Sequence, residues 1–201
     1  MKKFGKLAVL GAALAVSATL AYATTVTYST AGAFTGGTDS TNQAIFGTGA
    51  NTLTLEFSPQ SSASVDASPT TNASAGFLTA VVKGTGASAS GDFQLTIDQT
   101  VPGSASGMVS GVLSGKISGN SSTGLLDFSS TSLDLDGVWY TIQQPVGGME
   151  LVPPTTLNGE ESIQMDITST ITPEPSSLLL LGTGLLGLAL VMFRSGLVMH
   201  S

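Results

Sequence analysis

A single histidine, His200, stands next to the last residue of a 201-residue chain, and there is no cysteine. Without thiols there is no disulfide, no thiolate nucleophile and no thiolate metal site. With the imidazole confined to the extreme C-terminus, most histidine acid–base and metal chemistry is excluded from the folded part. Carboxylates, hydroxyls, a few aromatics and two interior lysines remain. Asp134, Asp136 and Gly137 start like a calcium loop, but the further oxygen ligands and the late glutamate such a loop needs are missing. A two-residue hairpin turn accounts for the same residues. Glu160 and Glu161 are adjacent, and neighbours on a strand point to opposite faces, so they cannot act on one bond as an acid–base pair. They are expected in a solvated turn after Asn158-Gly159.

Serines are plentiful, but "GKISG" is not a nucleophile elbow, and Lys116 beside Ser118 lacks the S-x-x-K order. A hydrolase of unfamiliar type would need Asp92, Asp98 or Asp127 to converge in a pocket, and their spacing predicts none. No catalytic residue, metal ligand or cofactor is therefore expected, and the chain reads as a non-enzyme. Trp139 and Tyr140 are the candidates for glycan contact. Alternation puts them on opposite faces of a strand, so one belongs to the core and at most one can be a stacking platform. Two glycosylation sequons, Asn72-Ala73-Ser74 and Asn120-Ser121-Ser122, fall in segments expected to be loops.

The elements that must carry these residues read as strands. "TTVTYST", "NTLTLEF", "GFLTAVVKG", "GDFQLTIDQT", "SGMVSGVLSGKISG", "STGLLDFSS" and "ESIQMDITSTI" alternate apolar with small polar residues. "SLDLDGVWYTI" is the clearest unit, with Asp136-Gly137 suited to a type I′ turn between two alternating runs. Short strands about every ten residues point to an all-β fold, an antiparallel β-sandwich with a jelly roll as one form of it. The body spans 24–172, and 58–76 ("SPQSSASVDASPTTNASAG") reads as a low-complexity loop. Between residues 24 and 172 twelve carboxylates face only Lys83 and Lys116, a net charge of −10. Such a surface repels phosphate backbones, so no nucleic-acid partner is expected.

The first 23 residues have a different logic. Lys2, Lys3 and Lys6 precede an apolar stretch, Leu7 to Leu20, and Ala21-Tyr22-Ala23 forms an A-x-A cleavage site. This is the layout of a secretory signal peptide, residues 1–23, with cleavage after Ala23. An N-terminal anchor is the alternative; the apolar core is short for a span. Export through the secretory translocon, with signal peptidase acting at Ala21 and Ala23, follows. At the other end, residues 178–193 carry no charge and cover roughly 24 Å as a helix, a short transmembrane helix. Pro173 and Pro175 keep that helix from extending upstream. Arg194 is the membrane stop, placed on the cytoplasmic side by the positive-inside rule.

"PEPSSLLLLGTGLLGLALVMFR" resembles the PEP-CTERM sorting domain of Gram-negative bacteria, with Pro173, Glu174 and Pro175 matching its motif residue by residue. The usual terminal cluster of basic residues is here Arg194 alone. The resemblance implies that 173–201 is a sorting and anchor segment, that exosortase is a partner, and that the membrane-anchored precursor becomes a cell-surface or extracellular protein. It also implies a link to exopolysaccharide and biofilm. The chain is therefore expected to be an exported, non-enzymatic surface or matrix protein. A carbohydrate-binding or adhesion module is the alternative, and a hydrolase the more distant one.

Overall fold

Alternating threonines, valines and leucines fix which side of each strand turns inward, because successive side chains on a strand point to opposite faces. In the computed structural model, which describes residues 24–67, 70–170, 181–185 and 187–188, that alternation yields fifteen strands. They are β1 (Thr24–Phe34), β2 (Thr38–Ser40), β3 (Gln43–Thr48), β4 (Asn51–Pro59), β5 (Ala63–Ala67), β6 (Thr71–Lys83), β7 (Ala87–Ser88) and β8 (Gly91–Val101). They continue with β9 (Ala105–Ser114), β10 (Lys116–Ile117), β11 (Leu125–Phe128), β12 (Ser132–Leu135), β13 (Val138–Ile142), β14 (Met149–Glu150) and β15 (Glu160–Ser169). All pairings between them are antiparallel. One sheet has the order β14-β11-β9-β8-β1-β5, a second the order β12-β13-β15-β6-β4-β3-β2, and β7 with β10 forms a small ribbon.

The inner faces of the two large sheets share one core. Phe57 of β4 meets Phe93 of β8 at 5.3 Å between ring centroids, and Tyr28 of β1 meets Tyr140 of β13 at 6.1 Å, both edge to face. Gly32 of β1 makes this closeness possible, because a Cβ there would sit 2.8 Å from Phe57 Cγ and 2.9 Å from Phe93 Cε2.

A bulge in β6 explains the buried hydroxyl of Thr30. Ile163 of β15 pairs with Gly76 and Gln164 with Ser74, so Ala75 is an extra residue left outside the ladder. The opposite sheet supplies what the ladder does not. Thr30 Oγ1 donates to Ala75 O at 2.7 Å and accepts from Gln60 N at 2.9 Å, while Tyr28 Oη donates to Ser74 O at 2.8 Å. Among the described residues no buried side-chain nitrogen or oxygen lacks a partner. Thr30→Val would orphan Ala75 O and Gln60 N–H at nearly unchanged volume. It is expected to lower the unfolding free energy by about 1–3 kcal/mol, and Thr30→Ser to restore most of it. Urea midpoints of the two variants decide this.

The hairpin expected at Asp136-Gly137 is present, with φ of 50° and 83° at its two central residues and β12 paired to β13 on either side. The segment 58–76, expected to be a low-complexity loop, is a correction. β4 runs to Pro59, β5 occupies Ala63–Ala67 and β6 begins at Thr71; residues 68–69 lie outside the described residues. Val65 pairs with Val26 and Ala67 with Thr24 at the edge of the first sheet. Small side chains suffice there because the neighbouring strand, not local propensity, holds the segment extended.

The expected signal peptide 1–23, with Ala21 and Ala23, lies outside the described residues, as do Pro173, Glu174, Pro175 and Arg194. Within the expected span 178–193, residues 181–185 and 187–188 are helical, and Leu181, Leu185 and Leu188 are exposed. Among the described residues no helix is long and apolar enough to cross a membrane.

Candidate functional site

Trp139 and Tyr140 fall on opposite sides of β13, as alternation requires, and the structure decides which one is outside. Tyr140 is 0 % exposed and Trp139 42 % exposed. Tyr140 therefore cannot contact a glycan, which corrects its candidacy. Its hydroxyl donates to Gln99 Oε1 at 2.9 Å, and Gln99 Nε2 donates to Gly103 O at 3.3 Å. Burial pushes the Tyr140 phenol well above its ordinary value, with Tyr28 adding to the effect, and burial raises Tyr28 as well. The folded state thus holds protons that unfolded tyrosine loses near pH 10. The stability tied to these phenols is fully present below that pH and is lost as pH rises through the raised values. The urea midpoint is expected to be level up to about pH 9 and to fall steeply above about pH 10. In Tyr140→Phe that alkaline fall should be shallower.

Trp139 stands on the outer face of the second sheet, between Asp134 of β12 and Thr168 of β15 in register. Each neighbour is already engaged. Asp134 Oδ1 accepts from Gly137 N at 2.9 Å, capping its own hairpin, and Thr168 Oγ1 lies 2.8 Å from Thr70 Oγ1. Asp166, opposite Thr141, accepts from Gln143 Nε2 at 2.8 Å. The result is an indole on a polar, hydroxyl-rich surface, the kind of ring on which a sugar stacks.

The carboxylates weighed for hydrolysis do not converge. Asp92 and Asp127 both flank Val112 on the outer face of the first sheet, with β9 between them. Asp98 is six residues further along β8, roughly 20 Å away at the strand rise. Asp98 accepts from Ser106 Oγ, Asp127 from Gln144 Nε2 and Asp92 from Thr35 Oγ1. Ser118 Oγ donates to Ser121 O within its own turn.

Glu160 and Glu161 open β15 rather than a turn and diverge, Glu160 outward and exposed. The Glu161 carboxyl is raised by burial and, secondarily, by the charge of Glu150. Asn72 is on β6, not in a loop, whereas Asn120 does lie in a turn.

A second feature on the outer face of the same sheet was not legible in the sequence. Thr52 and Thr54 of β4 form the floor of a shallow groove of about 370 Å³. Thr54 sits in register between Val81 of β6 and Ile45 of β3, and Thr52 between Lys83 and Gly47. Short side chains on the middle strand, with Gly49 at one end, leave a trough between longer neighbours. Lys83 makes no ion pair among the described residues, and Val81 is 54 % exposed. The only sequence signal was Lys83 itself, one of two cations in an acidic body.

The C-terminal residues supply the link to known proteins. Residues 172–195 match the family model described as the PEP-CTERM protein-sorting motif. The chain carries a PEP-CTERM sorting signal. This signal is the C-terminal mark of exosortase substrates, and it implies an exported, membrane-anchored precursor processed by exosortase. It contains Pro173, Glu174 and Pro175, which follow closely on the last residue of β15, Ser169. No curated protein and no solved structure matches the chain.

Proposed function

We propose that this chain is an exported, non-enzymatic protein of the cell surface or extracellular matrix, associated with exopolysaccharide in a biofilm. In this reading residues 1–23 take it through the translocon and are removed by signal peptidase. Residues 178–193 then hold the precursor in the membrane, with Arg194 as the stop. Exosortase acts at Pro173-Glu174-Pro175 and frees a β-sandwich body. The PEP-CTERM signal carries the proposal. The separate engagement of Asp92, Asp98 and Asp127 in hydrogen bonds of the fold supports the non-enzymatic part.

The test is the intact mass of the protein from its native host, with and without the exosortase gene. A C-terminus near Pro175 only when the gene is present is the expected result. Retention of residues 176–201 in both strains would make the segment a plain anchor and overturn the reading. A second reading, a carbohydrate-binding or adhesion module, is favoured by the exposure of Trp139 among Asp134, Thr141 and Thr168. Retention on a glycan array that Trp139→Ala removes would support it, and retention indifferent to that change would sink it.

A further inference from the structure

The groove over Thr52 and Thr54 has a chemistry unlike the rest of the body. Around it lies a domain with a net charge of −10, yet one wall carries the ammonium of Lys83, which makes no ion pair among the described residues, and the exposed side chain of Val81. The other wall is Ile45, and the floor offers two hydroxyls. A ligand that suits all three surfaces needs an anionic group, hydroxyls along one edge and C–H faces on both sides. A sugar ring bearing a carboxylate has them together.

We propose that this groove binds a uronate unit of an acidic polysaccharide, its carboxylate paired with Lys83, its hydroxyls on Thr52 and Thr54, and its C–H faces between Ile45 and Val81. The inference rests on the matrix reading above for the setting in which such a polymer is met.

Glu56 fixes the orientation. It pairs with Thr79, four residues from the Thr52–Lys83 pair, roughly 13 Å along the strands. The carboxylate must therefore point toward Lys83, because beyond the Thr54 end of the groove the same face carries Glu56. The body's overall charge does not forbid this. At physiological ionic strength distant carboxylates are screened beyond about 8 Å, whereas a contact ion pair is not. The groove volume of about 370 Å³ falls at the small end of the range for small-molecule sites, about 300–1,000 Å³. A cleft this shallow encloses one unit incompletely, so a repeating polymer is the ligand it retains. Rebinding of neighbouring units raises the apparent affinity where a free sugar would leave.

The test uses the full chain in a mild detergent and three probes: polygalacturonate, its methyl ester with the same backbone and no charge, and free galacturonate. Titration calorimetry should show binding of polygalacturonate at about 150 mM salt, where distant carboxylates are screened beyond about 8 Å, that weakens several-fold at about 1 M. Free galacturonate should bind far more weakly than the polymer. Lys83→Gln, or esterification of the polymer, should each reduce affinity about ten-fold or more. Lys83→Arg should retain most of it, and Val112→Ala, on the outer face of the other sheet, should leave it unchanged. No binding of polygalacturonate, equal binding of the ester, or indifference to Lys83→Gln with the fold intact by circular dichroism would overturn the groove. Binding of the ester lost in Trp139→Ala would overturn it while supporting the second functional reading. The C-terminal mass in the native host stands or falls independently of all these outcomes.

Discussion

Phe57→Ala is expected to destabilise the body by about 3–5 kcal/mol, the largest loss from any single truncation in this core. Phe57 is 1 % exposed and sits where three strands of the two sheets come together. Its ring meets Phe93 edge to face and occupies the space left by Gly32 on β1 and Gly76 on β6. Those two glycines have no side chains to move into a vacancy, and the strands around them are held by ladders on both sides. The cavity cannot collapse, and the cost of a truncation rises with the volume left empty. For a domain of this size each kcal/mol moves the thermal midpoint by about 2–4 °C, so a fall of roughly 6–20 °C is expected. Val112→Ala is the matched control: Val112 is 53 % exposed on the outer face, and its loss should stay within about 0.5 kcal/mol. Similar losses in both variants would show that the two sheets do not share a close-packed core around Phe57.

Gly76→Val attacks the same place from the other side and is expected to cost about 2–6 kcal/mol. Two effects add. Gly76 has φ of 130°, a conformation that side chains of L-residues rarely adopt, worth about 1–3 kcal/mol of strain. Its Cβ would also lie 2.6 Å from both Phe57 Cζ and Ser58 O, and overpacking of this kind costs about 1–3 kcal/mol more. Pairing the change with Phe57→Leu separates the two. The smaller partner should relieve the clash with the ring and leave the contact with Ser58 O and the backbone strain, giving a double variant less unstable than the sum. Strict additivity would mean that the bulge yields and that Phe57 is not what holds it.

How much of this was legible beforehand depends on how local each feature is. The β12–β13 hairpin was readable because two alternating runs and an Asp-Gly turn lie within eleven consecutive residues. The same alternation assigned Trp139 and Tyr140 to opposite faces. It could not say which face is inner, because that depends on Gln99 and Tyr28, which reach Tyr140 from the first sheet. The segment 58–76 misled for a related reason. Serines, alanines and threonines have little local preference, and β5 is extended because β1 pairs with it.

The groove around Lys83 depends on the register of β3, β4 and β6, which follow one another in space but are separated by hairpins and by β5 in the chain.

The sorting signal was written locally and contiguously, so the sequence by itself determined it. Pro173-Glu174-Pro175, the uncharged run after it and Arg194 are read in order along one segment, and the match over residues 172–195 shows the sorting signal. The β class was equally determined, because alternation with period two is a property of neighbours in sequence. Which strands pair, which carboxylates stay apart, which aromatic is buried and where Lys83 finds its trough were decided only by the tertiary structure. Those outcomes come from contacts between residues dozens of positions apart, and long-range register is fixed by packing rather than by any short stretch of residues.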